Sequence, residues 1–128
     1  GQNLGAPNTF VLVTQWLTSS IATPGVVPNV SSSLTINSEG WYITMIPMSF
    51  SGSAGQYTVS LFQNNVQHPN CQLQTNIDTG QPQLNSVTLV DMNHYASGDV
   101  LDVRVKCTNA GANFQLSNGN FIVRRMIG

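Results

Sequence analysis

The clearest structural pattern in the sequence is DVLDVRVKC, residues 99–107. Apolar and charged side chains alternate along it, with Leu101, Val103, Val105 and Cys107 in one set and Asp102, Arg104 and Lys106 in the other. This period of two is typical of a β-strand with one face in a core and the other in water. No ten-residue stretch of the chain shows the apolar spacing of an amphipathic helix.

Similar short runs of β-branched and aromatic residues recur along the whole chain, separated by Gly, Pro, Asn and Ser. This pattern predicts an all-β sandwich or barrel. We predict eight principal strands: Phe10–Leu17, Val30–Ile36, Trp41–Phe50, Gln56–Phe62, Val66–Thr75, Gln83–Asp91, Asp99–Cys107 and Asn120–Ile127.

The segments between these strands define the expected organisation. Asn64-Asn65 suits a two-residue hairpin turn because Asn tolerates positive φ, and Ala96–Asp99 reads as a tight turn that leads into a strand. Ser19–Pro28 reads as a long connection between sheets. We expect residues 1–9 to be a leader or linker end and residues 10–128 to form one head domain.

Composition excludes several classes of protein. The 128 residues include only four basic and five acidic side chains, so the clustered Lys and Arg that bind nucleic acid or anionic membranes are missing. No apolar run approaches the ~20 residues of a membrane span, so we expect no membrane insertion. Asn, Gln, Ser and Thr account for 48 residues, a surface that favours an extracellular or virion protein.

Residues Trp41–Phe50 differ from the other strands because both of their faces are apolar. A strand of this kind is buried on both sides, and in so short a chain a second subunit is the expected cover. The alternative is that a few apolar side chains are simply exposed, which is common.

Four segments, in this order, resemble the globular heads of complement component one q and tumour necrosis factor. They are EGWYIT at 39–44, YTVSLFQNN at 57–65, ASGDVLDV at 96–103 and GNFIVRRM at 119–126. The similarity runs from Leu34 to the C-terminus. It departs from the family pattern at Arg124 and Arg125, where the family has apolar residues.

This resemblance implies a ten-strand jelly roll that assembles as a compact homotrimer at the tip of a fibre or spike. Such heads bind ligands in loops or in grooves between subunits, and they occur on bacterial filaments and on viral and phage fibres. The interface is then expected to draw on Tyr42, Met48, Phe50, Phe121, Arg124 and Arg125. Neighbouring side chains of a strand point to opposite faces, so at least one of the two arginines must lie toward the core or the trimer axis. It then needs a carboxylate or several carbonyl partners, with Glu39, Asp91 or the C-terminus as candidates.

Catalytic chemistry is not indicated by the sequence. The only carboxylates close in sequence within one strand, Asp99 and Asp102, have opposite parity, so they cannot form a glycosidase pair. No serine stands in a Gly-x-Ser-x-Gly motif, and no glycine-rich phosphate loop is present. We therefore predict no catalytic residues and no enzyme activity.

Metal binding has weak support in the sequence. His68 and Cys71 lie three residues apart, with His94 and Cys107 elsewhere, but zinc sites usually pair two such clusters. We predict no required cofactor. Calcium remains an alternative around the turn that holds Asp91, Asn93 and Asp99.

The ligand-binding candidates are residues expected in turns and loops. Of the aromatic side chains, Trp41 and Tyr42 read as packing residues, whereas Tyr95 and Phe114 are better candidates for an exposed platform that stacks on a sugar; Trp16 is a further aromatic candidate. With their polar neighbours, the expected ligand site comprises Tyr95, His94, Asn109, Asn113 and Phe114. Asn29-Val30-Ser31 is a glycosylation sequon.

The two cysteines are expected to be buried free thiols. Their parity points both side chains inward, and the family's strand order places the strand Gln56–Phe62 between them. Two strand spacings are about 9.6 Å, whereas the Cα atoms of bonded cysteines stay within about 7 Å. A disulfide remains the alternative if the strand ends curl together.

These observations leave three functions open. The first is a trimeric adhesive head that recognises a cell-surface saccharide or receptor protein. The second is a structural trimerisation cap without a ligand, and the third is a secreted cytokine-like signalling ligand, which the sparse charge disfavours.

Overall fold

A computed structural model describes residues 1–14, 26–28, 32–78 and 84–126. Within these ranges the chain contains no helix and forms a sandwich of two antiparallel sheets, which confirms the all-β expectation. The strands are β1 Gln2–Asn3, β2 Val11–Leu12, β3 Val26–Pro28, β4 Leu34–Ile36, β5 Gly40–Gly52, β6 Gly55–Gln63, β7 Val66–Ile77, β8 Asn85–Tyr95, β9 Val100–Cys107, β10 Asn113–Gly119 and β11 Ile122–Arg125.

The five-stranded sheet is built around β5. Along one side β5 pairs with β8, from Gly40 opposite Tyr95 to Phe50 opposite Asn85. Along its other side it pairs with β10 and then β11, and β1 lies outside β10. Between β10 and β11 the ladder is bridged by Asn120, whose N–H donates to the carbonyl of Pro47 at 3.0 Å.

The six-stranded sheet runs in the order β3-β4-β9-β6-β7, and β2 also pairs with β9. Strand β6 therefore separates β9 from β7, as the family's strand order implies. Together the two sheets are compatible with a jelly roll.

The core lies between the sheets and is rich in aromatic rings. Phe50, Tyr57 and Phe114 form one cluster, with ring centroids of Phe50 at 5.6 Å from Tyr57 and 4.9 Å from Phe114. Buried tyrosines need a hydrogen-bond partner for the hydroxyl, and the Tyr57 hydroxyl donates to the carbonyl of Ser53 at 2.7 Å. The Tyr42 hydroxyl donates in the same way to the carbonyl of Ser38.

Some strand boundaries differ from the prediction. Residues 113–119, expected to be loop and connection, form β10 against the end of β5. Residues 26–28, expected within a long connection, pair with β4 as β3. Strand β8 continues to Tyr95 instead of ending at Asp91, because β5 offers partners over its whole length.

The expected turns are present. Asn64 and Asn65 have φ of 50° and 67° between β6 and β7, which is the left-handed pair that a two-residue hairpin requires. Gly98, with φ of 95°, stands in the turn before β9.

The first residues of the chain, expected to be a leader or linker end, pair with the five-stranded sheet. Gln2 and Asn3 pair with Phe114 and Asn113 of β10, and the Leu4 N–H donates to the carbonyl of Ala112. The Leu4 side chain is buried, so this segment contributes to the core.

Cys71 and Cys107 are both buried and unbonded, as expected. They lie on β7 and β9 with β6 between them. Leu73, which has the same parity as Cys71, is nevertheless exposed, because β7 is an edge strand.

Two candidate features lie outside the described residues, namely Trp16 and the sequon at 29–31. The described part of the chain has no helix of the length and hydropathy needed to cross a membrane.

Candidate functional site

The two aromatic residues expected to contact a ligand are inside the core. Tyr95 is 1% exposed and Phe114 is 0% exposed. Tyr95 lies on β8 and Phe114 on β10, and both side chains point inward. The sequence had led us to expect a turn and a loop at these positions. Neither ring can stack on a ligand in the folded chain.

The remaining expected ligand residues are exposed, but they lie at opposite ends of the sandwich. His94 pairs with Trp41 at the start of β5, whereas Asn113 precedes Phe114, the partner of Gly52 at its end. At about 3.3 Å per residue these ends are about 40 Å apart. Asn109 lies near Asn113, where its amide donates to the carbonyl of Ala54, so the structure does not bring the set into one site.

The expected interface residues also lie mostly in the interior. Tyr42, Met48, Phe50 and Phe121 are buried within a single chain. Of these, Tyr42, Met48 and Phe50 lie on the face of β5 that packs into the core. Because both faces of β5 are apolar, the sequence pattern does not distinguish this face from the other one. The side chains that remain accessible point the other way.

We call that accessible side the outer face; it comprises outward side chains of β5, β8 and β11. Trp41 is 53% exposed, Val90 59% and Met92 58%. The ladder register places Met45 opposite both Val90 and Ile122, and Ile43 opposite both Met92 and Arg124. The half-buried or exposed apolar members are Trp41, Ile43, Met45, Pro47, Val90, Met92, Ile122 and Met126.

One end of the outer face carries a small polar rim. His94 stacks edge-on against Trp41, with ring centroids 5.5 Å apart, and its Nε2 lies 3.6 Å from Glu39 Oε1. Arg125 donates from Nη2 to the carbonyl oxygen of Glu39 at 3.0 Å. Neither Arg124 nor Arg125 is buried within one chain, and the described partner of Arg125 is one backbone carbonyl at the surface, not the expected carboxylate or several carbonyls.

A polar network fixes the β6–β7 hairpin against the turn before β9. Asp99 accepts hydrogen bonds from Asn64 Nδ2 at 2.9 Å, from Gln63 Nε2 at 3.1 Å and from the Ala96 N–H at 2.9 Å. The bond from Asn64, with those from the backbone and Gln63, lowers the pKa of Asp99 below its usual value. Asn64 Oδ1 in turn accepts from the N–H of Val100.

A second polar group lies inside the sandwich, beside the edge strands β7 and β8. Thr44 Oγ1, Asp91 Oδ2 and the Tyr95 hydroxyl are buried without a hydrogen-bond partner among the described residues. Asp91 Oδ2 lies 4.0 Å from His68 Nδ1. Burial and the nearby Asp91 charge raise the pKa of Tyr95 well above its ordinary value and that of Cys71 to about 11.

The metal-ligand candidates are dispersed. Asp99 serves the hairpin, Asp91 lies in the interior, and Asn93 Oδ1 accepts from the N–H of His94. Cys71 and Cys107 are separated by β6. Within the described ranges no three His, Cys, Asp or Glu side chains come together in a way that could hold a metal ion.

A cleft of about 370 Å³ opens beside the β6–β7 hairpin. It is lined by Gln63, Asn64, Val66, Gln67, His68 and Pro69. These side chains come from the end of β6, the turn and the start of β7, and we call this feature the hairpin cleft. Two of its lining residues, Gln63 and Asn64, also belong to the polar network around Asp99.

The sequence pattern indicated a second apolar face on Trp41–Phe50, but it revealed neither the contribution of β8 to the outer face nor the hairpin cleft. The signal for the outer face was present, since Val90 and Met92 have the same parity as His94 in β8. The cleft had no such signal, because uncharged amides near a turn read as ordinary solvated loop residues.

Comparison with known proteins adds no identification. The chain matches no model of a protein family, and a search of curated proteins finds no significantly similar sequence.

Proposed function

We propose that this protein is a homotrimeric head domain that binds a ligand on a cell surface. The observation that carries the proposal is the outer face, where neighbouring strands expose Trp41, Val90 and Met92. Contiguous apolar patches of this kind mark interaction sites on folded proteins. The partners we assign to this face are two further copies of the same chain.

The small number of charges on the outer face supports further copies of the same chain as its partners. Among the described residues its permanently charged side chains are Arg124 and, at the rim, Arg125 and Glu39, so the face has no large patch of one sign to steer an acidic or basic partner. Apolar faces of identical subunits can cover one another in a closed ring. A closed trimer leaves no such face in water.

The resemblance to the complement component one q and tumour necrosis factor heads supports the same assembly. The order β9-β6-β7 agrees with the order that the resemblance implies, and heads of this family form trimers on fibres. Because amide and hydroxyl side chains are so frequent in the sequence, we propose that the protein lies outside the cell or on a virion. We also propose a binding role rather than catalysis.

The hairpin cleft favours a ligand-binding head over a structural cap. A cap needs only the outer face, whereas an open cleft of about 370 Å³ with ordered amide walls serves no purpose in assembly. The cytokine-like alternative has less support, because the described surface has few charged groups for a receptor.

The assembly is tested by sedimentation equilibrium at micromolar concentration. We expect about three times 13.8 kDa for the parent chain and a monomer for Met92→Lys, since a buried unpaired charge costs several kcal/mol. The matched control is Gln74→Lys, which adds the same charge at an exposed position on the six-stranded sheet. A monomeric parent protein contradicts the proposal.

The binding role is tested by adding fluorescently labelled protein to a panel of bacterial and animal cells. We expect the parent protein to label at least one cell type and Met92→Lys to label it far less, because three linked sites gain avidity. Labelling of none of the cells by an assembled trimer supports the structural cap.

A further inference from the structure

We propose that the hairpin cleft is a subsite for a short neutral saccharide. This inference rests on the proposed binding role and names the chemical class of its ligand. The cleft has the volume of a small ligand site, at the lower end of the usual range of about 300–1,000 Å³. Its lining combines carboxamides, an imidazole and the apolar surfaces of Val66 and Pro69.

The amides of the cleft are held in place before any ligand arrives. Gln63 donates to Asp99 at 3.1 Å, and its Oε1 lies 2.8 Å from His68 Nε2. Gln67 donates from Nε2 to Gln72 Oε1 at 2.7 Å. Polar groups fixed in this way lose little conformational freedom on binding, which is the main cost of ordering long side chains at a site.

Each of these amides keeps part of its hydrogen-bonding capacity. A carboxamide has two N–H donors and an oxygen with two lone pairs. The bonds of Gln63 and Gln67 use only some of them, so the cleft presents adjacent donors and acceptors. Neighbouring sugar hydroxyls, which donate and accept at once, match such a pattern.

The charge of the cleft favours a neutral ligand. Of its six lining residues none carries a permanent charge. Two carboxylates lie beside lining residues: Asp99 is already bonded to Gln63 and Asn64, and Asp91 Oδ2 lies 4.0 Å from His68 Nδ1 in the interior. Acidic sugars are normally recognised by Arg or by other strong cationic donors, and no such side chain lines the cleft.

The edge of β7 disfavours a peptide at the same place. An extended peptide binds by adding a strand to an open sheet edge, and β7 is the edge of its sheet. Pro69 removes one backbone donor from that edge, which is how natural edge strands resist strand addition. The lining also offers no deep aromatic pocket to anchor a peptide side chain.

The test is calorimetric titration of the assembled protein with maltotriose, chitotriose, N-acetyllactosamine and 3′-sialyllactose. We expect at least one of the three neutral probes to bind and Gln67→Ala to weaken it about tenfold, the effect of losing about 1.4 kcal/mol of hydrogen bonding. Gln74→Ala removes the same amide from an exposed position of β7 and should leave binding unchanged.

A second variant distinguishes a loss of binding from a folding defect in the hairpin. Val66 is 67% exposed, so Val66→Trp fills the mouth of the cleft without disturbing the core and should abolish binding at an unchanged Tm. Binding of none of the three neutral probes, binding of 3′-sialyllactose alone, or wild-type affinity in both cleft variants overturns the proposal. If cells are still labelled in any of these cases, the adhesive role stands and only the cleft assignment fails.

Discussion

Gly52 shows how little room a single position leaves where β5 meets β10. A Cβ atom at this residue would overlap the carbonyl oxygen of Asn113 and lie 2.8 Å from the Tyr57 hydroxyl. Gly52→Ala should therefore lower the free energy of unfolding by about 1–3 kcal/mol, the usual cost of overpacking. Chemical denaturation measures this change in the free energy of unfolding. Ser51→Ala is the control and should stay within about 0.5 kcal/mol; equal effects in the two variants would contradict the steric explanation.

Tyr57 and Cys71, two buried side chains that lose a proton at high pH, predict that the protein becomes less stable in alkali. Burial raises the pKa of Tyr57 from 10.0 to about 12 and that of Cys71 from 9.0 to about 11. A group with a raised folded pKa binds its proton more tightly in the folded state, so its contribution is complete below pH 9 and is lost as the pH rises toward 12. Thermal melts from pH 7 to 11.5 should show a Tm that falls only above pH 9.

Cys71→Ala provides the comparison for this pH dependence. Removing the thiol leaves a small cavity, so the variant should be less stable at pH 7. It should also lose less additional stability between pH 9 and 11, because one titrating group is gone. An identical slope in both proteins would show that Cys71 does not contribute.

At the scale of single residues, the sequence correctly predicted which side chains point into the core where only one face of a strand was apolar. In β9 the alternating set Leu101, Val103 and Val105 is buried as expected. In β5 both sets are apolar, and the inward set even includes Thr44. Which set faces the core is decided by the partner sheet, and no local pattern records that choice.

At the scale of elements, the β6–β7 hairpin is a separate test. Asn64 adopts φ of 50° and links Asp99 and Val100 through its amide. Asn64→Ala should cost about 1–2 kcal/mol, since alanine is strained in the left-handed region and makes neither bond. Denaturant titration measures the loss.

Asn65→Gly is the matched variant in the same turn. Asn65 has φ of 67°, which glycine adopts freely, and its one described side-chain bond, accepted from Arg104, is exposed. We expect a change within about 0.5 kcal/mol. If the two variants were equally destabilised, the links to Asp99 and Val100 would not be the cause.

The element that sequence reasoning missed, β10, illustrates why strands in this chain are hard to delimit. Its sequence NFQLSNG contains the inward pair Phe114 and Leu116, but polar residues surround them. A strand this polar forms because the end of β5 has an unpaired edge there. Tertiary pairing, rather than local propensity, determines its existence.

At the scale of the whole molecule, the proposed trimer predicts a thermal stability that depends on protein concentration. Unfolding of an oligomer releases its subunits, so a higher protein concentration favours the folded state. The Tm of the parent chain should rise over a hundredfold increase in concentration, whereas that of Met92→Lys should stay constant. Differential scanning fluorimetry measures both, and a constant Tm in the parent would argue for a monomer.

The candidate sites could not be predicted from sequence, because distant segments build them. Asn64 meets Asp99 across 35 positions of the chain, and His68 approaches Asp91 from the other sheet. The fold class follows from local alternation, which is clearest in β9 and β6. The cleft and the outer face follow from which strands pair, and only the assembled sheets reveal that.

The central position of β5 has a consequence for biosynthesis. Its partners on one side, β10 and β11, are the last described strands of the chain, about sixty residues after β5 itself. While residues 113–125 are still inside the ribosome, the nascent β5 lacks that entire edge and the Phe50–Phe114 contact. Long-range pairing of this kind delays folding, so the apolar side chains of β5 stay exposed to aggregation until residues 113–125 can pair with it.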